Sequence, residues 1–309
     1  MDARLNENNL YTLDPQTRAL LIESAPLMDK WSTTTCKPKV VGGMEEWAKN
    51  HKEAVQQEPD SCGWYHSTWQ YLRLLDMVAV PPWYPFYDEA ISSILRAKPD
   101  AHVFISACAD WGMLARLHDG IKLAGTKPRI TIYDICQTPL KAAQWYADRF
   151  GLEIETHCDN LITSPKLPLG EFDLIVTDEF LTVLKSEYKP QITKRWFDLL
   201  KPGGSIVTTA MVGGPTTPEL RRGYAERARR LMASEAGAAL RETGTDPEDL
   251  IRKFDFFAAV HTRHMLTGEA EVRSLFSAFD LKHLSFIPTP GECVNPTSSF
   301  QIVATKPKG

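Results

Sequence analysis

The chain has 309 residues, 43% hydrophobic and 24% charged, the balance of a soluble globular protein with room for one core domain and added segments. A net charge of −4 argues against nucleic acid: Arg221, Arg222, Arg227, Arg229 and Arg230 cluster, but Glu219, Glu226 and Glu235 interleave with them, so they read as a solvated helix face. No stretch approaches the length of a membrane span, and the first nine residues carry no apolar core, so neither a membrane nor a secretory leader is expected.

The first 97 residues read as helical. Pro15 to Met28, Met44 to Gln57 and Ser67 to Val78 carry apolar residues at three- and four-residue spacing. Between and after them come Trp64, Tyr65, His66, Trp69, Tyr71, Trp83, Tyr84, Phe86 and Tyr87, an aromatic concentration without equal in the chain. These rings either pack the helices onto a core or line the mouth of a site, where ring faces attract a cation once water is excluded. Trp69 and Arg73 stand four apart and share a helix face, so Arg73 could fork onto a carboxylate. Pro81-Pro82 breaks the chain before a helix over Tyr84 to Ala97.

From His102 the pattern alternates strand and helix, which predicts a mainly parallel sheet. Val103, Phe104 and Ile105 form the apolar run of a strand covered on both faces. Ser106, Ala107, Cys108 and Ala109 follow as a tight turn of small residues, and Asp110 opens a helix with Met113, Leu114, Leu117 and Ile121 on one face. Small side chains there let backbone approach a ligand, and the helix N-terminus offers N–H donors. A second strand, 129–134, ends in Asp134, placed as a carboxylate must be to accept the hydroxyls of a ribose.

Further strands are expected near 153–157, 172–177 and 204–210, and helices near 111–124, 138–150 and 189–200. Pro139 suits a first helical turn behind Thr138, and Gly151 a left-handed end. A loop over 213–218 leads into one or two long helices over 219–267, then a short helix at 269–279 and strands over 281–288 and 299–306. Six cysteines (Cys36, Cys62, Cys108, Cys136, Cys158 and Cys293) form no Cys-x-x-Cys pair and no zinc spacing, so no metal is expected; reduced thiols in a cytoplasmic protein are.

Four stretches together resemble the class I S-adenosylmethionine-dependent methyltransferases: the Ala107–Gly112 loop, Asp134, Asp159-Asn160, and Phe172 to Asp178 followed by Leu200-Lys-Pro-Gly-Gly204. The resemblance covers roughly residues 100 to 309. It implies an α/β Rossmann-like fold with a seven-stranded, mostly parallel sheet of order 3-2-1-4-5-7-6, the last strand antiparallel. Residues 1–97 would then be a helical, aromatic-rich lid and 98–309 the cofactor-binding core, with a helical insertion about 213–267 covering the substrate. One departure stands out: the family usually has glycines where this chain has Ala107 and Ala109, and an acid at Ile105. Alanine does not supply a positive φ cheaply, so a loop of altered shape is expected.

The resemblance implies S-adenosyl-L-methionine as cofactor, held by Ser106, Ala107, Cys108, Ala109, Asp110, Gly112, Asp134, Ile135, Asp159, Asn160 and Thr177, with Trp69 and Arg73 added from the aromatic segment. Asp159 with Asn160 resembles the pair that reads the adenine amino group, though both residues also favour turns. Asp178, Glu179, Tyr65 and His66 are the candidate catalytic groups. A carboxylate at the end of the fourth strand could stabilise the cation, orient an acceptor or take its proton, and the residues do not separate these roles. His261 and His264, three apart on an expected helix, are further base candidates.

The expected activity is methyl transfer to a small molecule in biosynthetic, secondary metabolism, with no nucleic acid or membrane partner; a homodimer is left open. Two alternatives stand beside it. The altered loop and Trp69-Gln-Tyr-Leu-Arg73 also resemble enzymes related to the azetidine-2-carboxylate synthases, in which the α-amine of the cofactor attacks its own γ-carbon and methylthioadenosine leaves. The loss of the glycines would also suit a non-catalytic scaffold that keeps the fold.

Overall fold

The computed structural model describes residues 13–35, 63–75, 77–78, 84–288 and 298–308. The expected helix over Met44 to Gln57, the Pro81-Pro82 break, Trp83, Cys36, Cys62 and Cys293 lie outside the described residues. Two compact units divide the rest. One comprises 13–35, 63–75, 77–78, 216–262 and 288; the other comprises 84–215, 263–287 and 298–308. The helix Tyr84–Ala97, read from the sequence as the end of the N-terminal segment, groups with the sheet. No helix among the described residues is long and apolar enough to cross a membrane.

The sheet unit contains β1 (His102–Ser106), β2 (Arg129–Asp134), β3 (Glu155–Cys158), β4 (Phe172–Val176), β5 (Leu200–Val212), β6 (Asp280–Pro288) and β7 (Ser298–Thr305). Their order is β3-β2-β1-β4-β5-β7-β6. β1 pairs in parallel with β2 and β4, β2 with β3, and β4 with β5, while β7 runs antiparallel to β5. This is the Rossmann-like arrangement expected, an α/β fold with the last strand inserted backwards.

Every residue of β1 and β4 is buried, because both sheet faces are covered. Successive side chains point to opposite faces. Phe104, Ile175, Ile206 and Ile302 pack with Ile192, Trp196 and Leu199 and with Val272 and Phe276. Those partners lie on or at the end of the helices Lys189–Leu199 and Glu269–Leu275. The alternate residues Val103, Ile105, Leu174 and Val207 are equally buried.

Among the described residues the α-helices are α1 (Pro15–Thr35), α2 (Gly63–Leu74), α3 (Tyr84–Ala97), α4 (Gly112–Ala124), α5 (Gln137–Phe150), α6 (Phe180–Val183), α7 (Lys189–Leu199), α8 (Pro218–Ala233), α9 (Ala238–Glu242), α10 (Pro247–Val260) and α11 (Glu269–Leu275). A Cβ on Gly120 of α4 would stand 2.4 Å from Cγ2 of Ile91, so only glycine lets α3 lie this close. Gly151 ends α5 at φ 65, as its position in the sequence predicts. Thr138 is inside that helix, which begins at Gln137, rather than ahead of it.

Three expectations about element limits need correction. β3 starts two residues later than expected, and β5 is longer, taking Leu200-Lys-Pro-Gly-Gly204 into an irregular first stretch with a register shift against β4. The insertion is not one or two long helices over 219–267. It is α8, α9 and α10, with residues 261–265 and 267–268 outside any helix or strand and Leu266 in an isolated bridge. Gly244 at φ 72 stops the helical run after α9, and Asp246 with Pro247 starts it again by accepting the Glu248 N–H.

Lys189 brings the chain back to the sheet. Its buried Nζ donates to the His264 carbonyl at 2.7 Å and lies 3.6 Å from Glu271. Burial pulls its pKa down and Glu271 opposes that. Leu266 then bridges to Val212.

Candidate functional site

The carboxyl ends of β1, β2 and β3 form one half of the site. Ser106 is fully buried at the end of β1, and its hydroxyl accepts from Trp196 Nε1 at 2.8 Å. Ala107 follows at φ 64, in the left-handed region that glycine enters freely and alanine enters at a cost of about 1–2 kcal/mol. The loop therefore keeps the backbone a glycine would give it, and the altered shape expected from the substitution is not formed at Ala107.

Asp134 explains what holds that strained residue. Its Oδ2 accepts the Cys108 N–H at 2.9 Å and its Oδ1 accepts the Cys136 N–H at 2.7 Å. Ala107 itself donates to the Tyr133 carbonyl at 2.9 Å. One buried carboxylate thus pins the turn after β1 to the turn after β2. Asp110 works one step further on, accepting the N–H of Gly112 at 2.7 Å at the start of α4. Ala109 is half-buried between them. Ile135 is 37% exposed, an apolar side chain left at the edge beside Asp134.

Asp159 and Asn160 form a turn after β3. Asp159 Oδ1 accepts the Asn160 N–H and Oδ2 the Ser164 hydroxyl at 2.7 Å; these two donors hold its carboxyl below the usual range. Asn160 Oδ1 accepts the Ile162 N–H at 2.9 Å. The main chain joins this turn to Asp134, whose carbonyl accepts the Asp159 N–H.

The other half lies beyond β4, between strands that connect to opposite sides of the sheet. Thr177 Oγ1 donates to the Ser106 carbonyl at 2.6 Å, tying the two halves together. Asp178 is half-buried, and its Oδ1 accepts the Thr209 hydroxyl at 2.6 Å and the Tyr87 hydroxyl at 2.9 Å. Tyr87, on α3, also donates to the Thr177 carbonyl at 2.7 Å. Burial and the Asp178 charge push the Tyr87 phenol well above its usual value, so it stays a proton donor.

Glu179 turns the other way, at φ 52. Its Oε2 accepts the Met211 N–H at 2.6 Å and the Thr182 hydroxyl at 2.8 Å, and its Oε1 accepts the Ser299 hydroxyl at 2.9 Å. Burial first and the Asp178 charge second push its carboxyl up to about 7, against the pull of those three donors. Two adjacent acids thus occupy different environments.

Of the residues singled out in the sequence, Ser106, Ala107, Cys108, Ala109, Asp110, Gly112, Asp134, Ile135, Asp159, Asn160, Thr177, Asp178 and Glu179 all lie at this edge of the sheet unit. The thiols there are not poised as nucleophiles: burial pushes Cys108 well up, and burial with the neighbouring Cys136 pushes Cys158 up. Tyr65, His66, Trp69 and Arg73 belong to the helical unit, on α2. Tyr65 stacks on Trp69 at 5.0 Å and on Phe257 of α10 at 5.8 Å, while His66 and Arg73 are buried. In the same unit Arg222 pairs with Glu219 and Arg229 with Asp255, and Arg221 donates to the Ala258 and Ala259 carbonyls, so these arginines find partners within the chain.

His261 and His264 do not share a helix face, because α10 ends at Val260. His261 stacks on Phe257 at 4.6 Å in the helical unit. His264 belongs to the sheet unit, where burial and Lys189 lower its pKa. No group of three or more His, Cys, Asp or Glu among the described residues is arranged to hold a metal ion.

Sequence reasoning missed Tyr87, Thr182, Thr209 and Ser299 as members of the site. Thr209 stood in a strand that also carries Lys201, Ser205 and Thr208, with nothing local to mark it as the donor. Tyr87 stood in the aromatic cluster with nothing local to distinguish it.

No family model matches the chain, and no curated protein sequence matches it. Solved structures that resemble it include a methyltransferase described as S-adenosylmethionine-dependent from Methanosarcina mazei, 20% identical, covering 69% of this chain and 95% of that one at a TM-score of 0.46. A 1,6-didemethyltoxoflavin N1-methyltransferase from Burkholderia thailandensis, solved with 1,6-didemethyltoxoflavin and S-adenosylhomocysteine, is 13% identical over 89% and 96% of the chains, with a TM-score of 0.49. A magnesium protoporphyrin IX methyltransferase from Synechocystis, solved with S-adenosylhomocysteine, is 12% identical over 92% and 99%, with a TM-score of 0.45.

Proposed function

We propose that the chain is a cytoplasmic S-adenosylmethionine-dependent transferase that methylates a small-molecule acceptor. The observation that carries this reading is the reversal of the strand order between β1 and β4, with the acid of β2 tied into the loop after β1. Open α/β sheets bind ligands at that point, outside the carboxyl ends of the strands.

The residues fit a nucleoside. A left-handed backbone at Ala107 removes its side chain from the usual path, Ile135 offers an apolar surface, and Asp134 and Asp159 lie at the ends of adjacent strands. Asp134 would accept the ribose hydroxyls, since a carboxylate has about four acceptor sites. When bound, the sulfonium supplies an electrophilic methyl carbon with a neutral thioether as leaving group. Asp178 then gives a negative charge at the reacting end, and its carboxylate would take the proton of an N–H or O–H acceptor.

Glu179, engaged by three donors, braces β5 and β7 rather than meeting the acceptor. The aromatic residues of the helical unit carry no step in this reading. Internal cyclisation and a non-catalytic role both drew on the replaced glycines; with Ala107 in the left-handed region, the loop lends neither separate support.

The test is to incubate the purified protein with S-adenosylmethionine, alone and with panels of small acceptors, and to identify products by mass spectrometry. S-adenosylhomocysteine formed only with an acceptor is the expected result. Methylthioadenosine with an azetidine amino acid, above spontaneous breakdown, would replace this reading by cyclisation. Failure to bind either nucleoside in calorimetry would leave the fold without this function.

A further inference from the structure

Tyr87 and Thr209 come from elements far apart in the chain and converge on one oxygen. Tyr87 is fully buried on α3 and Thr209 is fully buried on β5. Their hydroxyls lie 3.4 Å apart, and both donate to Oδ1 of Asp178. The tyrosine has one proton for two acceptors, the Thr177 carbonyl and Asp178, so it fixes the backbone and the side chain of this strand end together. Hydrogen bonds from hydroxyls to a carboxylate favour its ionised form.

The neighbouring acid is turned away from these hydroxyls. Glu179 faces Met211, Thr182 and Ser299 instead, so its carboxyl is engaged by donors on β5, β7 and α6. Tyr87 faces both acids; Arg263 approaches Met211, and the His264 N–H binds the Thr182 carbonyl. The division is set by direction. Asp178 is turned to the two hydroxyls of α3 and β5, Glu179 to β5, β7 and α6.

We propose that Tyr87 and Thr209 are positioning residues that hold Asp178 as a fixed, ionised carboxylate at the reacting end of the site, so that the chain favours a cationic sulfonium over its neutral thioether product. This rests on the methyltransferase reading above. Both residues are fully buried, and each acts through Asp178. Loss of the positive charge on methyl transfer then weakens the hold on the spent nucleoside and helps its release.

The experiment compares S-adenosylmethionine with S-adenosylhomocysteine by calorimetry, since the two differ by a methyl group and one charge. Asp178→Asn should lower affinity for the sulfonium about tenfold and change affinity for the thioether less than about threefold. Thr209→Val keeps the shape of the side chain and should lower sulfonium affinity about threefold to fivefold, with the thioether within about twofold; Thr209→Ser should restore it. Tyr87→Phe should act like Thr209→Val, and thermal unfolding reports whether it folds. Equal weakening of both ligands in Thr209→Val and Tyr87→Phe would mean a packing role only and overturn the proposal, as would no change in either. Failure of the unsubstituted protein to bind both ligands would instead remove the reading on which the proposal stands.

Discussion

Asp134 is held by two backbone N–H groups, whereas Asp178, on the other half of the same edge, is held by two side-chain hydroxyls. Backbone donors are present whatever the side chains are, and those of Cys108 and Cys136 come with the turns that follow β1 and β2. The hydroxyls on Asp178 come from Tyr87 and Thr209, which reach it from 91 and 31 residues away in the chain. The first half is therefore a clamp of main-chain groups that the two turns supply, with Cys136 two residues from Asp134 and Cys108 26 residues before it. The second depends on which side chains α3 and β5 carry.

The largest expected effect separates the two halves. Asp134→Ala leaves two N–H groups without their acceptor in a buried setting and should cost about 4 kcal/mol of stability in denaturant unfolding. It should also weaken S-adenosylmethionine by about 100-fold. A loss under about 1 kcal/mol would show that the clamp is not needed.

Glu179→Gln probes the other half through pH. Below the free-chain value of 4.5 both folded and unfolded Glu179 are protonated, and its contribution is present in full. As pH rises from 4.5 towards about 7 the unfolded chain ionises first, so this contribution is lost, by about 3 kcal/mol. The glutamine variant should lack that fall, and its unfolding profile between these limits should be flatter by the same amount. Identical slopes would mean that Glu179 titrates as in a free chain.

The smallest effect sharpens the first half. Ala107→Gly should raise stability by about 1 kcal/mol by relieving the left-handed backbone, and Ala107→Val should lower it, because a branched side chain tolerates φ 64 less well. A destabilised glycine variant would place the strain elsewhere.

β1, β2 and β4 were legible because they are short, largely apolar runs, and Lys-Pro-Gly-Gly marked the fifth strand; β3, which is Glu-Thr-His-Cys, was placed less exactly. The insertion was less legible. Periodicity ran through 219–267, although Thr217-Pro218 and Asp246-Pro247 carry the same start signal, a capping side chain before a first-turn proline. The later Pro247 marked the break that Gly244 completes. His261 and His264 were misread for the same reason. Tyr87, Thr209 and Ser299 were out of reach because no local pattern announces a hydroxyl whose acceptor is supplied by a distant strand end.

A crystal structure of the complex with S-adenosylhomocysteine would decide the nucleoside's position. Ribose oxygens within hydrogen-bond distance of the Asp134 carboxylate, with the base against Ile135 and beside Asp159, are the result expected. A nucleoside bound away from the carboxyl ends of β1, β2 and β4 would contradict it.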